Sequence, residues 1–290
     1  MLTATDTSLR LALPKGRMQD GVFSLLSDAG IHVRAGTRSY HPELSVPGYA
    51  AKILKPQNIV EMLHLGSRDV GFAGADWVAE LGAAVVEVFD TGLDRVRLVA
   101  AAPAALLTGG RLPARRLIIA SEYETLTRRW IDAGRLDATC VRSYGATEVF
   151  PPEDADLIVD NTATGATLQS NGLVVLDELM TSSTRLYANP AALEDPERLE
   201  AIEGLALVLR SVIEARSRVM LEVNVSAARL EALVRVLPAM REPTVSPLHA
   251  GAGYAVKAAV RRVDLPRIIP AIKASGGTDI VVTTFSQIVP

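Results

Sequence analysis

Asp156-Leu-Ile-Val-Asp160-Asn-Thr-Ala-Thr164-Gly165-Ala-Thr167-Leu168 is an apolar strand that ends in an aspartate, runs through a short Thr/Gly loop and opens a helix. Such a loop points several backbone N–H groups the same way, and a helix N-terminus adds about half a positive charge. Together they form a phosphate site. Gly165 allows a ligand to approach the backbone closely. Thr164 and Thr167 add hydroxyl donors, and Asp160 can accept hydrogen bonds from sugar hydroxyls beside the phosphate. The same pattern also fits a well-capped helix after a buried strand. The loop has neither Gly-Lys-Ser/Thr nor Gly-x-Gly-x-x-Gly, so the common nucleotide loops are excluded.

Outward from this unit, strand and helix patterns alternate. Leu9–Leu13 reads as a strand broken by Pro14-Lys15-Gly16, followed by a helix from Met18 to Ala29 that Gly30 closes. Residues 57–65 read as a helix, 69–73 as a buried strand, and Asp76 can cap a helix over 77–81. Further strands are expected at 85–89, 96–102, 117–120, 173–176 and 184–187, with a helix over 122–132. This grammar predicts α/β architecture with largely parallel sheets. Residues 195–218 form a long helical pattern, after which the order becomes strand, helix, strand, strand, helix, strand, with Ser226 and Asp264 as helix caps. That is the ferredoxin-like order, so a separate small domain is expected over residues 216–290.

Composition narrows the class. Of the 290 residues, 49% are apolar, enough for packed cores. Net charge is −3 and aromatic content only 4%, which argues against a nucleic-acid binder. The single cysteine, Cys140, permits no intrachain disulfide and reads as a buried apolar residue. The first ten residues lack an apolar signal core, and the most apolar stretch, 98–107, is short and interrupted by Pro103. No membrane association and a cytoplasmic location are therefore expected.

Lys15 and Arg17 follow the first strand, where α/β folds place ligands; a solvated turn fits as well. Arg38, Lys52, Lys55, Arg95 and Arg97 lie near other strand or loop ends. Each charge-assisted bond to a polyanion is worth roughly 1.5–3 kcal/mol, so several converging could hold a ligand that the net charge repels. Glycines 66, 71 and 74 around the 69–73 strand suggest close backbone approach, to a ligand or to neighbouring chain. His32, His41, His64 and His249 show no His-x-x-x-His spacing, and no nucleophile elbow is present. The chemistry should then rest on positioning and electrostatics.

Together these segments resemble the ATP phosphoribosyltransferase family. The likeness runs through Leu9–Met18, Arg38-Ser-Tyr40-His-Pro42, Gly66 to Asp76, Arg97-Leu98, and above all Gly145-Ala-Thr-Glu148 with Asp156 to Leu168. Asn224-Val225 and Pro243 to Leu248 resemble the regulatory domain of long-form members. The chain departs from the family at Lys55-Pro-Gln-Asn58, at Glu153, at Asn161-Thr162-Ala163 and at Ser226.

The resemblance implies two α/β lobes around a cleft, periplasmic-binding-protein-like and of phosphoribosyltransferase type IV. Lobe I would comprise 1–104 and 184–215, lobe II 105–183, with the histidine-binding, ACT-like domain at 216–290. It implies condensation of ATP, through adenine N1, with 5-phosphoribosyl 1-pyrophosphate (PRPP), feedback-inhibited by histidine. PRPP would be held by Asp160, Ala163, Thr164, Gly165, Ala166 and Thr167. ATP would be held by Lys15, Gly16, Arg17, Arg38, Lys55, Gly74 and Arg97. Lys15, Arg17, Arg97, Glu148 and Asp160 would serve catalysis, and Asn224, Met240, Thr244 and Asp279 would border the effector. Magnesium is expected on the pyrophosphate oxygens, without a dedicated protein cage. Dimers that assemble into hexamers are implied as well. A two-lobed, non-catalytic anion-binding module is the competing reading.

Overall fold

The computed structural model describes residues 8–34, 36 and 40–289. The chain divides into two compact units, the second made of Asp28–Gly30 and of the chain from Leu207, inside a long helix, onward.

The first unit contains, in order, β1 (Leu9–Pro14), α1 (Gln19–Asp28), β2 (Val33–Arg34), β3 (Glu43–Leu44), β4 (Tyr49–Leu54), α2 (Pro56–His64), β5 (Val70–Gly74), α3 (Ala75–Leu81) and β6 (Val86–Pro103). It continues with β7 (Leu117–Ser121), α4 (Glu124–Gly134), β8 (Ala138–Arg142), β9 (Leu157–Thr162), α5 (Ala166–Ser170), β10 (Leu173–Ala188) and α6 (Pro190–Glu194). The main sheet has eight strands in the order β4-β1-β5-β10-β6-β9-β7-β8.

The expectation of largely parallel sheets needs correction. β1 lies parallel to β4 and β5, and β7 parallel to β8 and β9, but β10 and β6 are antiparallel to each other and to the strands flanking them. The strands expected at 85–89 and 96–102 are one strand of 18 residues, β6. Those expected at 173–176 and 184–187 are likewise one strand of 16 residues, β10. Each carries polar residues midway, so its apolar pattern breaks while its hydrogen bonding continues through bulges. This antiparallel pair runs through both lobes and joins their parallel wings into one sheet. β4 and β8 were not anticipated, because edge strands are half-exposed and their apolar signal is weak.

β1 forms because Leu11, Ala12 and Leu13 are wholly buried between flanking strands and helices. Its start is fixed by Asp69, 0% exposed, which accepts from the backbone and guanidinium of Arg10 and pairs with Arg198 at 3.0 Å. Those arginines hold the Asp69 carboxyl below the usual carboxylate range despite burial.

The second unit includes the C-terminal half of α7 (Pro196–Ser217), then β11 (Arg218–Val225), α8 (Leu230–Val236), β12 (Thr244–Pro247), β13 (Tyr254–Arg261), α9 (Leu265–Ala274) and β14 (Thr278–Thr284). The strand order β12-β13-β11-β14, antiparallel throughout, is the ferredoxin-like order. Val219, Leu221, Val223 and Val225 alternate inward from β11 onto Leu233, Ile268 and Ile272 of the two helices. Two expected caps are corrected. Neither Ser226 nor Asp264 makes a side-chain cap bond, and Asp264 instead pairs with Arg261 at 2.9 Å. None of the helices is long and apolar enough to cross a membrane among the described residues.

Candidate active site

Successive residues at the end of β9 point to opposite faces of the sheet. Ile158 packs with Leu168 of α5, whereas Leu157 and Val159 pack with Tyr123. The alternation sends Asp160 to the α5 side and Asn161 to the Tyr123 side.

On the α5 side the chain makes a tight turn. Gly165 has φ +81°, the left-handed region that favours glycine, and nothing lies within 4 Å of where a side chain would begin. The Gly165 N–H donates to Thr162 Oγ1 at 3.0 Å, and the Ala166 N–H to Thr164 Oγ1 at 3.3 Å. α5 has only five residues, so its macrodipole is small. What the turn offers a ligand is therefore individual amides and hydroxyls rather than a helix dipole. Thr162, marked in the sequence only as a departure from the family pattern, closes the turn.

A cavity of about 300 Å³ opens above this turn and is walled by Arg17, Glu148, Asp160, Thr164, Ala166 and Thr167. Burial pushes the Asp160 carboxyl up to about 6. The N–H of Asn161, donating at 2.7 Å, and the Thr147 hydroxyl oppose that shift, while Glu122 and Glu148 add to it. Asp160 and Glu148 face this one cavity, and two carboxyls in one space are an electrostatic setting that an incoming cation relieves.

On the Tyr123 side lies a second cavity, of about 480 Å³, walled among others by Lys15, Gly16, Arg17, Lys55, Tyr123 and Asn161. Arg17 and Asn161 belong to both cavities. Tyr123 is wholly buried and stacks on Trp77, with ring centroids 4.6 Å apart. Its hydroxyl donates to Asp76 at 2.6 Å and accepts from the Asn161 amide at 2.8 Å. Ser182 donates to the other Asp76 oxygen at 2.7 Å. Asp76 therefore does not cap α3 as expected. Gly74 is the capping residue, and a side chain there would collide with the Asp76 carboxylate.

Glu80, one turn further along α3, accepts from the N–H groups of Thr125 and Leu126 at 2.8 and 3.0 Å and so caps α4 from the other lobe. No spacing in the sequence marks Trp77, Glu80, Glu122 or Tyr123, because they meet only when α3 packs on α4, and Asn161 of β9 stands out only as a departure from the family pattern.

Arg97 stands apart from Lys15. It lies in a third cavity of about 420 Å³ with Arg95 and Arg185, which adjoins the Asp160 cavity at Val96 and Ala163. It pairs with Glu178 at 3.3 Å, but both side chains are well exposed, so the pair is weak and can yield to a ligand. Gly74 is buried and walls none of these cavities. Arg38 lies outside the described residues. Cys140 packs against the β7–α4 core, and burial pushes its thiol up to about 11, which is unsuited to a nucleophile.

In the second unit, Asn224 donates to Asp279 at 3.1 Å, as does Thr278 at 3.0 Å. Thr244 pairs with Lys257, and the Met240 N–H bonds Ala259, further along the sheet. Asn224 and Asp279 are thus brought together, whereas Met240 and Thr244 border a different stretch of the same sheet.

A two-lobed α/β unit with a Thr/Gly turn opening on one cavity beside a cationic, aromatic-walled second cavity fits the class of transferases that join two phosphorylated substrates. Comparison with known proteins makes this specific. The family model HisG, ATP phosphoribosyltransferase, matches residues 55–211, and the model of the HisG C-terminal domain matches residues 215–287. The chain is 35% identical over 286 residues to the ATP phosphoribosyltransferase of Chlorobium phaeovibrioides, covering 96% of this chain and 97% of the relative. It is 36% identical to that of Desulforudis audaxviator, covering 97% and 99%. Among solved structures, the ATP phosphoribosyl transferase (HisG:HisZ) complex from Thermotoga maritima is similar with a TM-score of 0.63 and 28% identity, over 71% of this chain and 98% of that one. The chain belongs to the ATP phosphoribosyltransferase family.

Proposed function

We infer that the chain condenses ATP with PRPP to 1-(5-phosphoribosyl)-ATP and pyrophosphate, the first step of histidine biosynthesis. The observation that carries this reading is the shared wall. Asp160 and the Thr/Gly turn face one cavity, Lys15 and Lys55 the next, and Arg17 and Asn161 line both. The competing reading, a non-catalytic anion-binding module, gives way because the chain matches an enzyme family along almost its whole length.

Adenine N1 carries its own lone pair, so no enzymic nucleophile is needed. The transition state at the anomeric carbon is oxocarbenium-like and asks for alignment and charge stabilisation. The turn of residues 163–167 holds the 5′-phosphate, and the Asp160 carboxylate takes the ribose hydroxyls. Lys15, Arg17 and Lys55 meet the phosphates of ATP, and Arg97, from the adjoining cavity, meets departing negative charge. Glu148 orients ribose or a metal-bound water.

Magnesium would be carried by the pyrophosphate of the substrate, with Asp160 and Glu148 the carboxylates that could meet it; burial, with Glu122 and Glu148 nearby, raises Asp160 and fits that use. The chemistry it supplies when bound is neutralisation of charge on the leaving group. The second unit binds histidine as a feedback inhibitor, with Asn224 and Asp279 among its contacts. The protein works in the cytoplasm as a homo-oligomer, a dimer that builds hexamers.

The test is to incubate the protein with ATP, PRPP and magnesium and follow the new adenine-derived chromophore, with and without histidine. Turnover that histidine suppresses is expected. Absence of turnover with an intact, PRPP-binding protein would remove the assignment.

A further inference from the structure

Asn161 occupies an unusual place. It follows Asp160 in β9, yet its side chain lies on the opposite face, and it walls both the PRPP-side cavity and the Lys15 cavity. Whatever reacts must meet at this boundary, since the anomeric carbon comes from one side and the attacking base from the other.

The orientation of its amide is set by a count of protons. The Asp76 carboxylate can only accept, and Ser182 and Tyr123 each donate to it. The Tyr123 hydroxyl has one proton, which is spent on Asp76. Its remaining capacity is to accept, so the group facing it must be the Asn161 –NH2, at 2.8 Å. Tyr123 does not escape this by ionising, because burial and the neighbouring Asp76 hold its hydroxyl protonated far above neutral pH. The chain Ser182–Asp76–Tyr123–Asn161 therefore turns the Asn161 carbonyl oxygen away from Tyr123, as an acceptor at the junction of the two cavities. No hydrogen bond within the described protein occupies that oxygen.

We propose that Asn161 Oδ1 accepts a hydrogen bond from the exocyclic 6-amino group of the purine, making Asn161 a specificity-determining and positioning residue for adenine. This rests on the reading that the chain joins ATP to PRPP. The 6-amino group is the donor adjacent to N1. An acceptor fixed against it selects 6-amino over 6-oxo purines and turns N1 toward the anomeric carbon. A site built to bond a substrate N–H rejects an analogue that lacks it more strongly than an apolar wall does, because an acceptor that the bound purine covers is left unpaired. Asp76 and Tyr123 act through Asn161 and are positioning residues.

The test uses purine riboside 5′-triphosphate, which keeps the N1 lone pair and the triphosphate but lacks the 6-amino group. The ratio of kcat/KM for ATP to that for the analogue is measured at saturating PRPP in the wild type, Asn161→Ala and Tyr123→Phe. The wild type is expected to prefer ATP by more than about tenfold, because one hydrogen bond adds about tenfold to the difference in N1 basicity between the two purines. Asn161→Ala should lower the ratio about tenfold, leaving the part that the basicity difference sets. Tyr123→Phe keeps the ring stack on Trp77 and frees the amide to flip, so it should lower the ratio partway. An unchanged ratio in Asn161→Ala overturns the proposal, as does equal use of both nucleotides by the wild type. A wild type that turns over neither nucleotide would instead count against the phosphoribosyl-transfer reading itself. Should Asn161→Ala fail to fold, Asn161→Asp, which keeps an acceptor but loses the donor to Tyr123, is expected to retain the preference for ATP; loss of the preference there would also overturn the proposal.

Discussion

Replacing Asp160 by Asn should stabilise the protein while disabling it. The Asp160 carboxyl, ordinarily near 3.8, is pushed up to about 6 by burial and by Glu122 and Glu148. A carboxyl with a folded pKa above its unfolded value binds its proton more tightly when folded. Folding is therefore favoured by the protonated form, and the cost of ionisation grows between about pH 4 and 6 and is fully present at pH 7. At 1.36 kcal/mol per pH unit, the displacement corresponds to an upper bound of about 3 kcal/mol. Partial exposure of the site brings the expectation to roughly 1–3 kcal/mol.

Asn is isosteric, keeps an acceptor for the Asn161 N–H and carries no charge. For a unit of this size each kcal/mol moves the melting temperature by roughly 2–4 °C, so a rise of several degrees is expected at pH 7. The assay is thermal denaturation of the ligand-free wild type and variant from pH 7 to pH 4. The gain should shrink as the wild-type carboxyl takes up its proton and vanish near pH 4. Turnover of the variant should meanwhile fall by at least about tenfold, because an amide cannot replace a carboxylate beside developing positive charge. A variant less stable than the wild type at pH 7, or a gain that persists unchanged in acid, would refute the electrostatic account of the site.

Other outcomes are expected. In the wild type, kcat/KM for PRPP should drop about tenfold per pH unit below about pH 6, as Asp160 protonates, and flatten above it; a pH–rate profile checks this. Thr164→Ala should raise the KM for PRPP and leave the melting temperature nearly unchanged, since Thr164 is exposed and bonds only the Ala166 amide. Asp69→Ala leaves the Arg10 and Arg198 guanidiniums beside an empty buried site and should cost roughly 3 kcal/mol, read by denaturation. A chain truncated ahead of residue 216 should lose histidine inhibition if it stays folded, as titration with histidine would reveal.

Two kinds of information built this protein, and they differ in physical range. Local sequence determined the strand–turn–helix at 156–168, the cations after β1, the long helix after residue 195 and the strand–helix order of the second unit. Each depends on periodicity or turn chemistry within a few residues. Asp160 was legible because it ends an apolar strand before a Thr/Gly turn. Tertiary structure alone decided that β6 and β10 run unbroken through both lobes, because hydrogen bonding between strands continues where side-chain patterning lapses. It also decided that Asp76 serves Tyr123 rather than its own helix, that Glu80 caps a helix of the other lobe, and that Asn161 reaches the cavity opposite Asp160. Those contacts join residues far apart in the chain through distance and direction, and a linear pattern encodes neither.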